Sequence, residues 1–415
     1  MKKESIKEFV ILFFWNLWHS EVLWSTLKRK MLESGEVMRW LMSVRVPIYF
    51  PMHACDVSWL AVAYPEIVKA IKANPFIRVP LSTYSHVMPS VFPDIMEVQL
   101  AYGRKVLAHH FGEEKLAPEI GFLSDFNIYD NLVPTLVEQG WRGAIHLQGL
   151  NNLYQMNMTG IGKIFTPFTG RHNVIKHFHR DFPLYLSAGA KLRNAYLGYF
   201  RDFGDKLSVR QAFKQEVREQ EDISRCSRVT KSNSGLGIFL TDFEPPWINE
   251  TGGRPRIELF TELMEEFRMD NHFIHLSDSE NISAIEIPDN MSVKERILHP
   301  KWHHSQREYF QIVDALRILS PSPRSTFYQL MLTGSDFASA FFWEEVKNFQ
   351  PVLLPINKSD QKVRIYGDVE NRRQAMNYLI GRMNGEKSPN LSEEAKWFLK
   401  IMEKAITLDM EILNR

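Results

Sequence analysis

The chain has very few cysteines, and its positive and negative charges nearly balance. Only Cys55 and Cys226 occur among 415 residues, which excludes a disulfide framework and a cysteine zinc site and predicts a reducing, cytoplasmic location. The 50 basic and 49 acidic residues give a net charge of +1. The composition therefore offers no electrostatic attraction for nucleic acid or for an anionic membrane surface, and neither partner is expected.

Long apolar runs are also missing. The run from Phe9 to Leu17 follows Met1-Lys2-Lys3 in the manner of a signal peptide, but it is too short to span a bilayer. The acidic residues Glu4 and Glu8, and the lack of a small-residue cleavage site, argue against a signal peptide as well. We interpret the run as the first buried strand of a cytoplasmic protein.

The sequence does contain a regular alternation of short apolar runs with helical stretches. The runs that predict strands are 9–14, 44–52, 76–81, 116–120, 141–148, 237–242 and 272–276. The helices predicted between the first five are 22–41, 58–72 with Ser58 as N-cap, 95–111 and 130–140. This alternation predicts parallel βαβ units. In the second run, Pro47 and Pro51 each remove a hydrogen-bond donor from the sheet.

The second half of the chain changes character twice. Residues 193–234 are rich in charge and predict a solvated helical insertion. After residue 305 only helices are predicted, at 305–319, 324–347, 369–384 and 392–413. The predicted fold class is α/β, an irregular barrel of about seven strands over residues 1–300, followed by a C-terminal helical domain over residues 301–415.

Two predicted strands end in carboxylates that are far apart in sequence, Glu119 and Asp242. In α/β barrels the carboxyl ends of the strands form the active-site face. A pair of carboxylates at that face is what cleavage of a glycosidic bond requires. Alternatively, Glu119 caps the next helix or pairs with an arginine.

Four short motifs, in a characteristic order, make the chain resemble the family 57 glycoside hydrolases. The motifs are Ser82-Thr83-Tyr84-Ser85-His86, Pro118-Glu119-Ile120-Gly121-Phe122, Asp242-Phe243-Glu244-Pro245-Pro246-Trp247 and Leu332-Thr333-Gly334-Ser335-Asp336. The resemblance implies an irregular (β/α)7 barrel with a C-terminal helical bundle, acting on α-glucans or α-linked oligosaccharides by hydrolysis or by transfer, as a 4-α-glucanotransferase does. It implies neither a cofactor nor a metal.

The same resemblance assigns roles to individual residues. Glu119 is the expected nucleophile and Asp242 the acid/base, in a retaining mechanism with the two carboxyl groups about 5–5.5 Å apart. His86 and His19 are expected to bind sugar hydroxyls. Glu244 either helps Asp242 to keep its proton by like-charge repulsion or caps the next helix.

Two further residues of the predicted site have alternative roles. Trp247 is either a stacking platform for a sugar ring or a core residue. Asp336, which the helical domain would supply to the site, either binds sugar hydroxyls or caps a helix.

The chain departs from the family pattern at several positions. In the first motif, Leu17 and His19 stand where the family has two histidines, and Ser20-Glu21 replace Gln-Pro. Pro245-Pro246 and Phe337 replace residues near the fourth and fifth motifs. These changes concern sugar recognition more than the two carboxylates.

Two other classes of protein compete with this interpretation. A metal-dependent polysaccharide deacetylase shares a similar Thr-Tyr-Ser-His segment, but it needs a histidine where this chain has Ser82, unless His53 and Asp56 supply replacement ligands. A non-catalytic relative would bind carbohydrate without changing it. Intact Glu119 and Asp242 argue against the second class.

Overall fold

A parallel β-sheet with helices packed against it forms the described part of the protein. The computed structural model describes residues 8–15, 32–89, 92–124, 132–147, 184–187, 236–242, 272–278, 311, 313–319, 321–334, 374–385 and 390–415. The strands within these ranges are β1 (Glu8–Phe14), β2 (Ile48–Tyr49), β3 (Ile77–Ser82), β4 (Leu116–Phe122), β5 (Ala144–Leu147), β6 (Leu184–Ser187), β7 (Leu236–Asp242) and β8 (His272–Phe273). Their order is β6-β5-β4-β3-β2-β1-β7, with β8 beside the start of β1. All pairs are parallel, which confirms the predicted α/β class.

The helices of the described ranges follow the strands in the predicted alternation. They are α1 (Glu36–Ser43), α2 (Ala54–Ala63), α3 (Pro65–Ala73), α4 (Met96–Phe111), α5 (Val133–Glu138), α6 (313–319), α7 (Pro323–Leu332), α8 (374–384) and α9 (Glu393–Leu413). No helix within the described ranges combines the length and the apolar character needed to cross a membrane.

The two faces of β1 have different neighbours, because successive side chains of a strand point to opposite sides of the sheet. Ile11, Phe13 and Trp15 pack into the core on the helix side, where the Phe13 ring lies 5.3 Å from the ring of Trp40. Leu12 is paired with Tyr49 of β2, and Tyr49 is paired with Arg78 of β3. We call the face that carries these three residues the inner face of the sheet.

The predicted bounds of two elements are wrong, and in both cases proline residues are the reason. The second strand was expected over 44–52 but contains only Ile48–Tyr49, because Pro47 and Pro51 flank these residues and cannot donate to the sheet. The helix expected over 58–72 is divided into α2 and α3 by Pro65, which occupies the first turn of α3. Ser58 therefore lies inside α2 and is not an N-cap.

The strand that carries Glu119 is longer than predicted. It was expected to end at Ile120 and continues to Phe122. Its pairing with β3 is irregular, since Ala117 is opposite Pro80 but Phe122 is opposite Ser82. Glu119 consequently lies in the irregular middle of β4, not at its end.

The C-terminal helices pack on the helices that cover the sheet. Helix α9 contacts α2, α4 and α7, and the ring of Phe398 stacks on Trp59 at 5.6 Å. The helix expected over 324–347 ends at Leu332, because Gly334 pairs with Val87 in an antiparallel bridge. The predicted charged insertion at 193–234 lies outside the described residues.

A buried carboxylate joins α9 to α2 and to the turn that follows β3. Asp409 is fully buried and accepts hydrogen bonds from the hydroxyls of Ser58, on Oδ1, and Tyr84, on Oδ2. Ser58 Oγ also lies 3.2 Å from His110 Nε2. Burial raises the pKa of Asp409 to about 7, and burial lowers the pKa of His110 to about 4.

The raised pKa of Asp409 predicts that this residue stabilises the protein more at acidic than at alkaline pH. Folded Asp409 keeps a proton that an unfolded aspartic acid releases near pH 3.9, so its stabilising contribution is present below that pH and is lost as the pH rises through 7. The lowered pKa of His110 acts in the opposite direction below about pH 6.5, so the contribution of Asp409 is measured as the difference in free energy of unfolding between the native protein and Asp409→Asn. We expect this difference to fall by roughly 2–3 kcal/mol between pH 5 and pH 8. Urea denaturation of the two proteins over this range measures it. Parallel pH profiles of the two proteins would contradict it, and Asp314→Asn, which changes a partly exposed carboxylate, is the control.

Candidate active site

The second motif forms a tightly fixed turn at the end of β3. Ser85 donates from its backbone N–H to Gln99 Oε1 and from its hydroxyl to the carbonyl oxygen of Leu330. Helix α4 approaches so closely at Gly103 that an added Cβ would lie 2.3 Å from the carbonyl oxygen of Ser82. Only glycine fits at this contact, so α4 and α7 together hold the turn against the sheet.

His86 lies at the carboxyl ends of the first strands. It is buried, its ring stacks on Phe14 with a centroid distance of 5.9 Å, and the ring of His53 lies 4.9 Å away. Phe14 also contacts Phe122, with ring centroids 4.1 Å apart. The predicted site residue His86 is thus part of an aromatic cluster formed by residues from the ends of β1, β3 and β4 and by His53.

His53 is a member of this cluster that the sequence suggested only as a metal ligand. Its Nδ1 lies 2.9 Å from Ser82 Oγ and 3.1 Å from Thr83 Oγ1. Ser82, which stands where a deacetylase has a histidine, therefore bonds to His53. Among the described residues, no group of three or more His, Cys, Asp or Glu side chains is arranged to hold a metal ion.

The described part of the fifth motif, 332–334, lies next to the second motif. The antiparallel bridge between Gly334 and Val87 places the end of α7 beside the residue that follows His86. Thr333 Oγ1 donates to the carbonyl oxygens of Gln329 and Leu330, which closes the last turn of α7. Asp336 is two residues beyond Gly334 and lies outside the described residues.

Asp242 is the last residue of β7. The register between β1 and β7 pairs Phe14 with Asp242 and Leu12 with Leu240. The backbone of Asp242 is therefore level with Phe14 of the aromatic cluster. The other predicted site residues, His19, Glu244 and Trp247, lie outside the described residues.

Glu119 is bound by two donors from the inner face. Tyr49 Oη donates to Oε1 of Glu119 at 2.8 Å, and Arg78 Nη1 donates to the same oxygen at 2.9 Å. The Glu119 side chain is 18% exposed and that of Arg78 is 23% exposed. Of the alternatives open from sequence, pairing with an arginine is present, and this pairing leaves the role of a nucleophile open.

The position of Glu119 along the strand direction differs from the expected position at the carboxyl end of its strand. Its partner Tyr49 is level with Leu12, two residues before Phe14 along β1. Two residues of strand correspond to about 6.6 Å. Glu119 thus binds to a layer of the inner face that lies below the level of Phe14 and Asp242.

The same oxygen of Glu119, Oε1, accepts both hydrogen bonds. Within the described part of the chain, Oε2 receives no hydrogen bond. Two other carboxylates bound by tyrosine differ: Asp409 uses both oxygens, and so does Glu403, whose Oε2 binds Arg324 Nη1 at 2.6 Å and whose Oε1 binds Tyr328 Oη at 2.9 Å. The described residues thus hold one oxygen of Glu119 and leave its other oxygen without a hydrogen bond from them.

Burial raises the pKa of Tyr49 well above its usual value, and the negative charge of Glu119 raises it further. Tyr49 is therefore a neutral phenol over the ordinary pH range. It donates a hydrogen bond to Glu119 throughout this range.

Sequence reasoning missed Tyr49 and Arg78. One signal was present, because Arg78 is a single charge within the apolar run 76–81, and a charge in a buried strand needs a partner. That partner, Glu119, comes 41 residues later. Its distance in sequence gave no indication of the pair.

Comparison with known proteins shows the fold. No family model and no curated protein matches the sequence. Among solved structures, a family 57 branching enzyme from Thermococcus kodakaraensis is similar, at 12% identity over 97% of this chain and 94% of that one, with a TM-score of 0.50. An α-amylase from Thermotoga maritima is similar at 10% identity over 99% of both chains, also with a TM-score of 0.50.

These likenesses define the class of fold. The chain has an α/β fold with a parallel sheet and many helices, of the kind found in these two carbohydrate-active enzymes. At such low identity the comparison concerns the fold alone.

Proposed function

We propose that this protein is a retaining glycoside hydrolase or glycosyl-transferring enzyme that acts on α-glucans or α-linked oligosaccharides. Glu119 is the nucleophile and Asp242 is the acid/base. The observation that carries the proposal is the geometry of Glu119, whose Oε1 is held by Tyr49 and Arg78 while the described residues leave Oε2 free. The fold shared with a branching enzyme and an α-amylase supports the substrate class.

The reaction takes place in two steps. Oε2 of Glu119 attacks the anomeric carbon while Asp242 gives its proton to the leaving oxygen, which forms a glycosyl-enzyme ester. Asp242 then removes a proton from water or from a sugar hydroxyl, and that oxygen displaces Glu119. Water gives hydrolysis and a sugar gives transfer, with the anomeric configuration retained in both cases.

The remaining site residues bind the sugar. His86, in the aromatic cluster beside Phe14, and His19 bind hydroxyl groups, and Trp247 provides a flat surface for a pyranose ring. Glu244 raises the proton affinity of Asp242 by like-charge repulsion. Asp336 is supplied by the helical domain, and the bridge of Gly334 to Val87 supports its position near His86.

The proposed architecture is a (β/α)7 barrel over residues 1–300 followed by a helical bundle over residues 301–415. Closure of the barrel is supported by the edge strands β6 and β7, which have Cα atoms within 8 Å of each other. A cytoplasmic location and the absence of nucleic acid and membrane partners remain predictions from composition.

Product analysis tests the proposed function. The purified protein is incubated with maltooligosaccharides, amylose and aryl α-glycosides, and the products are separated by chromatography. We expect shorter products from hydrolysis, or a ladder of longer and shorter ones from transfer. Saturable binding of the oligosaccharides without any product would contradict the proposal and favour a non-catalytic carbohydrate-binding protein.

A further inference from the structure

The hydroxyl of Tyr49 has a fixed direction. The backbone N–H of Leu276 donates to Tyr49 Oη at 2.7 Å, and Oη lies 2.8 Å from Glu119 Oε1. A phenol has one proton to donate, and an N–H group cannot accept it. The proton of Tyr49 therefore points at Glu119 Oε1.

The guanidinium of Arg78 is fixed in a similar way. Nη1 donates to Glu119 Oε1 at 2.9 Å and to Ser277 Oγ at 2.7 Å, and Nη2 donates to the carbonyl oxygen of Leu116 at 3.0 Å. Three acceptors from different parts of the chain hold this planar group. Because Tyr49 and Arg78 are paired across β2 and β3, both donors converge on one oxygen.

The short turn Leu276–Asp278, which follows β8, contacts both donors. Leu276 is buried and binds Tyr49, while Ser277 binds Arg78. His275 anchors the turn, since its ring lies 5.1 Å from the ring of Tyr49 and its Nε2 lies 3.2 Å from the carbonyl oxygen of Ile48. The turn thus sets the orientation of the two groups that hold Glu119.

We propose that Tyr49 and Arg78 are positioning residues, oriented by the turn Leu276–Asp278, which hold Oε1 of Glu119 so that Oε2 is the attacking atom. The inference rests on the proposed role of Glu119 as nucleophile. In the first step Oε2 forms a bond to the anomeric carbon and Glu119 loses its charge, so the two hydrogen bonds weaken. In the second step this bond breaks, the electron pair returns to Glu119, and the two donors stabilise the developing charge.

Tyr49→Phe is expected to slow the second step of the reaction selectively. The loss of a hydrogen bond to a charged group slows the second step by about 10- to 100-fold. Because the glycosyl-enzyme then accumulates, we expect kcat and KM for an aryl α-maltoside to fall together.

The matched control is Tyr328→Phe. Tyr328 also donates to a glutamate that pairs with an arginine, Glu403 with Arg324, but this cluster lies between α7 and α9. We expect its kcat and KM to equal those of the native protein. Thermal melting of both variants checks that they fold.

The possible results distinguish failure of the positioning role from failure of the proposed function. If Glu119→Gln loses turnover but Tyr49→Phe keeps the native kcat and KM, the positioning role is overturned and the proposed function stays intact. Absence of turnover in the native protein overturns both. If Tyr49→Phe does not fold, Arg78→Lys decides: it keeps the charge but not the planar fork, so a fall in both kcat and KM supports the inference and native kinetics overturn it.

Discussion

Glu119→Gln is expected to abolish turnover of maltooligosaccharides, with a fall in kcat on the order of 10⁴-fold. The amide still accepts the hydrogen bond of Tyr49 at Oε1, but the atom that replaces Oε2 is no longer a nucleophile. The fold should survive, because the amide oxygen still accepts the hydrogen bonds of both Tyr49 and Arg78. Steady-state rates and thermal melting, measured on the same preparation, check both expectations.

A matched control distinguishes chemistry from structure. Glu403→Gln removes a carboxylate that is likewise bound by an arginine and a tyrosine, and both of its oxygens already have partners. We expect this variant to be less stable and fully active per folded molecule. If Glu119→Gln behaved in the same way, Glu119 would be a structural partner of Arg78 and not a nucleophile.

Asp242→Asn is expected to lower kcat on unactivated α-glucans by about 10²- to 10⁴-fold, because the leaving oxygen then departs without a proton. In aryl glycosides whose leaving group is an acidic phenol, the leaving oxygen needs little protonation. Their first step should therefore remain near the native rate. The basic limb of the pH profile should disappear at the same time. The measurement is a burst of released phenol, compared with the rate on maltooligosaccharides.

The control for this prediction is Asp314→Asn, which changes a carboxylate paired with Arg317 on α6. Its rates should be native on both substrates. An equal loss by Asp242→Asn on activated and unactivated substrates would show that Asp242 does not act as the acid. The register that pairs Asp242 with Phe14 would then have a structural meaning only.

Strands that are apolar throughout were predictable from the sequence, and elements near proline were not. The predicted strands 9–14 and 237–242 agree with β1 and β7 to within one residue, because an unbroken apolar run has few alternatives to a buried strand. The run 44–52 looked equally apolar, but its flanking prolines reduced β2 to two residues. The length of β2 was thus set by the lack of backbone donors at Pro47 and Pro51 and not by the hydrophobicity of the run.

The sequence placed His86 just after the third strand, where the structure has it, but it did not predict the contacts of the candidate site. The described end of the fifth motif, at Gly334, lies beside Val87. The depth of Glu119 was not predictable, because it depends on the irregular pairing of β4 with β3. Its partners Tyr49 and Arg78 come from two other strands, and only the register of the sheet brings them to one carboxylate.

The central claim, that Glu119 forms a covalent glycosyl-enzyme, can be tested directly by trapping. A 5-fluoro-α-glucosyl fluoride combines a good leaving group with a fluorine that slows the second step, so the ester accumulates. Mass spectrometry of the intact protein, followed by peptide mapping, should find one fluoroglucosyl group on the peptide that contains Glu119. Attachment to a different carboxylate, or turnover of the reagent with no attachment at all, would contradict the account.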